Sequence, residues 1–397
     1  MEKRGRVVCP LFPVTKGTCC MKGMYIHIPF CHQICHYCDF NKVFFDNQPV
    51  DEYIESIGQE LQLMKEEGFS FSKLETVFIG GGTPTSLSAQ QLERLLAIIG
   101  LHVDIPSLKE FTTEANPDEL TASKLIVLKQ GGINRLSIGV QSFDEELLKK
   151  IGRTHNAQDP IRVIKEARDI GFDNISIDLI YGLPGQTIEQ WQATLDQAAA
   201  LDLEHTSGYS LIVEPKTVFY NLMNKGKLPL PGEDAEAEML EMLMKHMEKH
   251  GHGQYEISNF AKPGFESVHN LLYWQNEEYA GVGAGAHGFV GGERYSNIGP
   301  IKHYMASLEE GKRPVFQTHP VTEVEAMEEE MFLGLRKKAG VSAAHFERKF
   351  GHSLQEIYGE TLKTLIEKGL LEEENGMFKL THIGLFRGNE VFQQFLK

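Results

Sequence analysis

Three cysteines, Cys31, Cys35 and Cys38, lie in the order C-x3-C-x2-C, directly after the apolar run Tyr25-Ile26-His27-Ile28-Pro29-Phe30. Thiolates at such short, unequal spacings can converge on one iron–sulfur cube from a single loop. A [4Fe–4S] cube takes four ligands, so three cysteines leave one iron open. Structural zinc sites instead pair two C-x2–4-C knuckles, and no cysteine follows Cys38. Three unrelated buried thiols are the remaining alternative.

Other residues with chemical potential are spaced along the next 150 positions. Gly80-Gly81-Gly82-Thr83-Pro84 lets a backbone approach a ligand closely and adopt positive φ, and its carbonyls can accept hydrogen bonds from an ammonium group. Glu114 and Gln141 can bind hydroxyls or base edges. Arg153 offers a fork-shaped guanidinium to a carboxylate. Asp178 interrupts an apolar stretch, where a lone carboxylate is costly without a partner. Taken singly, each also suits a turn or a structural pair.

The elements that must position these residues alternate. Strand patterns fall at 24–28, 75–79, 109–114, 134–139, 174–180 and 206–213. Helical patterns fall at 51–67, after the N-cap Ser88, at 122–130, through Ile170 and at 188–200. Tyr53, Ile54, Ile57, Leu61 and Met64 form one helical stripe. Six β/α units imply an α/β fold, either a parallel barrel or a doubly wound sheet. The cysteines, glycine run, Glu114, Gln141 and Asp178 all fall at or near the carboxyl ends of five strands, where barrels carry their chemistry.

Composition bounds the rest. At 397 residues, 41% hydrophobic and 24% charged, the chain reads as a globular protein of two to three domains. A net charge of −16 leaves no broad basic face for nucleic acid. No apolar run is long enough to span a bilayer, and a thiolate-bound cluster suits a reducing compartment, so cytoplasm is expected. Residues 1–23 carry Lys3, Arg4, Arg6, Lys16 and Lys22 against Glu2 alone, with Pro10 and Pro13 breaking any signal-like core. They read as a disordered extension or an upstream start, with Met24 opening the folded chain.

The C-x3-C-x2-C spacing with Tyr37 before the last cysteine resembles the radical S-adenosylmethionine (SAM) family. Segments 25–31, 80–84, 139–143 (Gly-Val-Gln-Ser-Phe), 152–155 (Gly-Arg-Thr-His) and 178–187 narrow this. They resemble the branch that contains oxygen-independent coproporphyrinogen III oxidase and its haem-chaperone relatives. The resemblance covers nearly all of 24–397. It implies an open (β/α)6 barrel over 24–232, with Cys31, Cys35 and Cys38 holding a [4Fe–4S] cluster whose open iron binds SAM. It further implies that Tyr25, Tyr37, Gly81, Gly82, Thr83, Glu114, Gln141, Arg153, Asp178 and Ile212 line the SAM site.

Two features then divide the branch. The oxidase pattern carries a further cysteine two positions after the third; here that position is Phe40. His269-Asn270-Leu271-Leu272-Tyr273-Trp274 resembles the HNxxYW motif associated with haem binding in the chaperones. By that resemblance His269 ligates haem iron, with Tyr273 and Trp274 as aromatic surface. The resemblance therefore implies a haem chaperone that serves haem-dependent proteins such as respiratory enzymes. SAM and a reductant attend the cluster, and coproporphyrinogen oxidase activity is not expected. Decarboxylation of coproporphyrinogen III to protoporphyrinogen IX is the enzyme alternative. Peripheral membrane association and a homodimer stay open.

Residues 233–320 read as an α+β extension carrying the HNxxYW segment. It begins with an acidic amphipathic helix at 233–250, whose methionine stripe reads as core filler. His246, His250 and His252 are alternative iron ligands that read more simply as surface residues. Segment 254–260 reads as a strand. Gly281 to His287 reads as a tight loop, only loosely like a nucleotide-binding G-x-G-x-x-G. Helical patterns at 322–336, 343–350 and 354–368, then a hairpin at 370–380 turning on Asn375-Gly376, suggest a winged-helix-like α+β domain over 321–397. It carries 10 Lys/Arg and 13 Asp/Glu in 322–397, which disfavours nucleic acid. It reads as a cap over the substrate end of the barrel or a docking surface.

Overall fold

The computed structural model describes residues 19–396. Six strands, β1 (Gly23–Ile28), β2 (Thr76–Gly81), β3 (Glu110–Ala115), β4 (Arg135–Gln141), β5 (Ile175–Tyr181) and β6 (His205–Ser210), pair in parallel in sequence order. A doubly wound sheet would reverse that order at a switch point. Here every crossover runs one way and the sheet curls around its own interior, as in a barrel. The barrel is open. Its edges are extended by β7 (Gly253–Gln254) and β8 (Asn259–Ala261) beside β6, and by β9 (Tyr279–Val282), β10 (His287–Val290), β11 (Glu293–Asn297) and β12 (Val315–Pro320) beside β1.

The outer helices follow the expected stripes. On α1 (Val50–Glu66), Tyr53, Ile54, Ile57, Leu61 and Met64 are all buried. α2 (Ala89–His102) starts with a capping box between Ser88 and Gln91, which satisfies two otherwise orphaned N–H donors. α3 (Ala122–Gln130), α4 (Glu145–Lys150), α5 (Gln158–Ile170) and α6 (Ile188–Ala200) complete the ring. α7 (Val218–Asn224) follows β6, and then comes α8 (Glu233–Lys249). α8 packs beside α6 on β5 and β6, with Met239, Leu243 and Met247 buried in the barrel's core. The methionine stripe is core filler, and a barrel boundary at residue 232 would cut this sixth helical layer away.

The 233–320 segment is likewise part of the same sheet. Glu60 of α1 joins the two: its buried carboxylate accepts hydrogen bonds from the Gly283 N–H (2.8 Å), Asn297 Nδ2 (2.6 Å) and the Tyr304 hydroxyl (2.6 Å). The glycine-rich stretch after β9 serves this packing. A Cβ on Gly283, at φ +101°, would sit 2.6 Å from the His27 carbonyl oxygen. Close backbone approach explains the glycines without a nucleotide.

Residues 1–18, placed in the expected extension, lie outside the described residues. Residues 19–23 belong to the fold. Cys19–Cys20 pair with Phe69–Ser70, Met21 is fully buried, and Lys22 Nζ reaches Glu277 at 2.7 Å. The folded chain therefore opens before Met24.

α9 (Val268–Trp274) and α10 (Ile301–Glu309) precede the C-terminal module. This contains α11 (Glu323–Gly334), β13 (Val341–Ser342), α12 (Ala343–Phe350), α13 (Leu354–Glu367), β14 (Leu371–Glu374) and β15 (Met377–Leu380). Its three strands pair as β13-β15-β14, and Asn375 and Gly376 turn the hairpin at φ +54° and +76°. Its own core gathers Met331, Leu335, Phe346, Leu362, Leu365 and Phe378. This is the winged-helix order. Its position differs from the expected cap over the substrate end. The Lys338 N–H donates to the Tyr255 carbonyl (3.0 Å), and Arg336 lies over the Trp274 ring (5.0 Å). Both contacts are at the amino ends of the barrel strands, opposite the cysteine loop, because β7, β8 and α9 present the apolar surface that the module buries.

Candidate functional site

The carboxyl ends of the strands open onto a cavity of about 420 Å3. Cys31, Cys35, Tyr37 and Cys38 line it from the loop after β1, and Gly81, Gly82 and Thr83 from the end of β2. Glu114, Gln141 and Asp178 enter from β3, β4 and β5, Arg153 from the loop after α4, and Ile212 from beyond β6, 67% exposed at the rim. Of the SAM-site residues expected from sequence, Tyr25 alone stands apart. Its hydroxyl donates to His27 Nδ1 (2.9 Å) inside the barrel, and its ring stacks on Phe78.

Backbone hydrogen bonds hold the cysteine loop. The His36 N–H donates to the Ile151 carbonyl and the Phe45 N–H to the Cys31 carbonyl, each at 2.9 Å. His36 Nδ1 donates to the Lys150 carbonyl at 2.8 Å. Thr83 Oγ1 approaches Cys31 Sγ, and Arg153 Nη1 approaches Cys35 Sγ, each at 3.6 Å. Burial pushes the Cys31 thiol up to about 12, against the Thr83 hydrogen bond, and raises Cys38 as well. A bound metal deprotonates such thiols outright. Among the described residues no three His, Cys, Asp or Glu side chains converge on a single-ion point. Three thiols around one cavity suit a larger inorganic group than zinc.

The remaining walls carry carboxyl, amide and guanidinium groups. Gly81 has φ +115°, and a Cβ there would meet the His27 ring at 2.4 Å; at Gly82 it would meet the Phe30 carbonyl at 2.8 Å. Neither position has room for a side chain, and both line the cavity. Gln141 is forced to φ +66° by a bulge opposite β5, which turns its side chain toward the site. Glu114 accepts from the Gly81 N–H (3.0 Å), and burial, with the Asp178 carboxylate nearby, pushes its carboxyl up to about 8. Burial also raises Asp178, whose oxygens accept from Ser137 Oγ at 3.3 and 3.4 Å. Burial and the Arg153 charge hold His155 down at about 4, so it stays neutral while its Nδ1 accepts from Arg153 Nε (3.4 Å). Asn116 Oδ1 accepts from Arg153 Nη2 at 2.8 Å. Asn116 and His155 were missed as functional positions; their place at the carboxyl ends of β3 and α4 was the available signal.

His269, expected from its motif at the haem iron, lies at the amino end of the barrel strands. It is 1% exposed, with Nδ1 on Thr76 Oγ1 (2.7 Å), Nε2 on the Tyr273 hydroxyl (2.8 Å), and its ring stacked on Phe78. Glu110 caps α9, accepting from the Val268 and His269 N–H groups at 2.8 and 3.2 Å. Burial pushes His269 down to about 3. α9 therefore plugs the amino end of the barrel. Tyr273 serves as the hydrogen-bond partner of His269 Nε2 and Trp274 as the seat for Arg336, with the Trp274 Nε1 buried without a hydrogen-bond partner.

The open barrel and its thiol-lined mouth define a radical SAM protein, and the Radical SAM superfamily model matches residues 25–198. The HemN C-terminal domain model matches residues 321–387. The haem chaperone HemW of Bacillus subtilis (strain 168) is 55% identical over 95% of this chain and 99% of its own. That of Lactococcus lactis subsp. lactis is 48% identical over 94% and 96%. The mitochondrial radical S-adenosyl methionine domain-containing protein 1 of Bos taurus is 35% identical over 88% and 81%. The chain belongs to the haem chaperone HemW family. The structure of coproporphyrinogen III oxidase (HemN) from Escherichia coli superposes with a TM-score of 0.82 over 94% of this chain and 90% of that one, at 24% identity, which shows a shared fold.

Proposed function

We propose that this protein is a haem chaperone that binds haem and hands it to haem-dependent proteins, with a [4Fe–4S] cluster and SAM held in the barrel mouth. The observation that carries this reading is the end-to-end likeness to proteins named haem chaperone. Cys31, Cys35 and Cys38 hold the cluster. Gly81, Gly82 and Thr83 receive the ammonium group of SAM, Arg153 its carboxylate, and Glu114, Gln141 and Asp178 its hydroxyls and adenine edge, with Ile212 at the rim. Bound there, cluster and SAM supply a reductively generated radical. The chain itself orients SAM: Asn116 and His155 fix the Arg153 fork, and burial keeps Glu114 protonated at neutral pH until a cationic ligand arrives.

Thiolate ligation favours a reducing cytoplasm, where a reductant and haem acceptors complete the set of partners. Among the described residues no helix is long and apolar enough to cross a membrane. The test is an anaerobic haem titration of the reconstituted protein beside incubation with coproporphyrinogen III, SAM and reductant. Saturable haem binding, passed on to an apo-haem protein, supports the chaperone. Protoporphyrinogen formed at catalytic turnover would replace it with the oxidase.

A further inference from the structure

A cluster held by Cys31, Cys35 and Cys38 has to be reduced from outside the barrel, and one shoulder of the mouth is built for a visitor. Residues 211–230, which run from the end of β6 through α7, carry Lys216, Lys225 and Lys227 against Glu214 alone, in a chain of net charge −16. Lys150, in the last turn of α4, adds a fourth ammonium near Gly185. None of these four ammonium groups has an ion-pair or hydrogen-bond partner among the described residues. On the same two segments the carboxylates are engaged. Glu214 lines the cavity, Glu145 accepts from the Ala157 N–H (2.9 Å), and Glu146 pairs with Lys149 (3.1 Å). The acidic start of α8, Glu233 and Asp234, bounds the patch.

The shoulder is fastened to the cysteine loop. Phe219 of α7 is buried in a small separate core with Leu147, Leu148, Ile151 and Leu183, and Tyr37 packs against it. The Phe219 N–H donates to the His36 carbonyl at 3.1 Å, and the two rings lie 6.0 Å apart. The outer side of this segment leaves Val218 47%, Met223 39% and Leu230 39% exposed. Single exposed apolar residues are ordinary; these stand among unpaired cations, directly beside the thiols. Lys216 also occupies φ +67°, a left-handed conformation that most side chains avoid, so lysine is not there to ease the turn.

Apolar contacts within a charged rim fit a protein surface of opposite sign, because the rim steers the encounter and the centre excludes water. The place narrows the partner. The haem motif on α9 lies at the other end of the barrel, so a protein seated here faces the cluster. We propose that α7 and the loop after it dock an acidic electron-carrier protein, with a flavin or iron–sulfur group, that reduces the cluster. The carrier is oxidised by one electron and the cluster reduced by one, with no atom or proton exchanged. The inference rests on the cluster reading and deepens it by naming the class of reductant.

Reduced flavodoxin, an acidic flavoprotein, is the probe. It is mixed anaerobically with the full-length, cluster-loaded protein, and bleaching of the iron–sulfur absorption is followed by stopped flow, with dithionite as a small-molecule reductant in parallel. The variants are Lys216→Glu/Lys225→Glu/Lys227→Glu, Met223→Asp and, for comparison, Lys363→Glu/Lys368→Glu at α13. Reduction of the wild type by flavodoxin should slow as salt rises. It should be at least about tenfold slower in the lysine triple variant and severalfold slower in Met223→Asp. Dithionite should reduce every variant as it does the wild type, and the α13 pair should behave as wild type with both. Flavodoxin reduction unchanged in the triple variant, slowed equally by the α13 pair, or absent from a wild type that dithionite reduces, overturns the docking surface and leaves the cluster reading standing. A dimer in sedimentation that the triple variant dissociates, with flavodoxin reduction unchanged, gives the face to a second copy instead. Failure of dithionite to bleach the wild type overturns the cluster reading itself.

Discussion

Glu114 holds its proton up to about pH 8 in the folded chain because burial and Asp178 disfavour its charge, whereas an exposed glutamate ionises near 4.5. A raised carboxyl pKa contributes stability that is full below the unfolded value and is lost as pH rises through the folded one. The ligand-free protein should therefore lose melting temperature between about pH 4.5 and 8, and Glu114→Gln should flatten that slope by a few degrees. Melts of both proteins from pH 5 to 9 check this, and parallel curves would contradict it. Arg153 tests a different kind of contact. In its proposed role, charge-assisted hydrogen bonds to the SAM carboxylate are worth about 1.5–3 kcal/mol, so Arg153→Met should weaken SAM binding roughly 10- to 100-fold. The iron–sulfur absorption should be unchanged, and isothermal titration of the anaerobic protein reads the affinity.

At the scale of elements, α9 is held at its amino end by a set of polar contacts. Its seven residues are too short for a helix to stand alone. Ser267 caps it, Glu110 takes its first N–H groups, and His269 bonds Thr76 across the barrel floor. Truncating His269 leaves the Thr76 and Tyr273 hydroxyls without that partner inside the barrel. His269→Ala should cost about 2–4 kcal/mol of unfolding free energy, measured by denaturant titration. A loss below about 0.5 kcal/mol, the range of ordinary surface changes, would remove the plug role. Such instability also bears on how loss of haem binding in a His269 variant should be read, since a collapsed floor mimics a lost ligand.

In the whole molecule, ligand mouth and C-terminal module sit at opposite ends of one barrel. The aromatic contacts Tyr25–Phe78 and Phe78–His269 run through its interior toward α9. The joint to the module includes Arg336 over Trp274, Arg294 paired with Glu329, the Lys338 N–H on the Tyr255 carbonyl, His382 beside Glu241 and Ile257 packed against the module's core. The module has its own core, so weakening the joint should loosen its seat before unfolding it. Arg336→Ala should cost about 1–2 kcal/mol and speed amide exchange in β7, α9 and α11, leaving α13 protected. Equal protection throughout would show that Arg336 does not hold the joint.

Much of this was legible because local physics carries it. The period-2 and period-3.6 patterns placed six strands and their helices, Asn375-Gly376 marked the hairpin, and C-x3-C-x2-C announced three thiols in one loop. The chemistry-bearing residues sat at strand ends, and strand ends meet in any parallel barrel. Segment ends slipped where pairing decides: the sixth strand stops at Ser210, and 254–260 divides into β7 and β8 around a turn. Periodicity left the strand order open and the resemblance implied the singly wound barrel that the structure has, but only the tertiary structure gave α8 to the barrel and set the C-terminal module against the barrel floor. It also decided the histidines. His269 stands in a conspicuous motif but has both nitrogens bonded, while the plain His252 keeps a buried lone pair. His269 Nε2 meets Tyr273 four residues on, but its Nδ1 partner Thr76 and the Leu203 partner of His252 lie 193 and 49 residues away, and no local pattern encodes contacts at that separation.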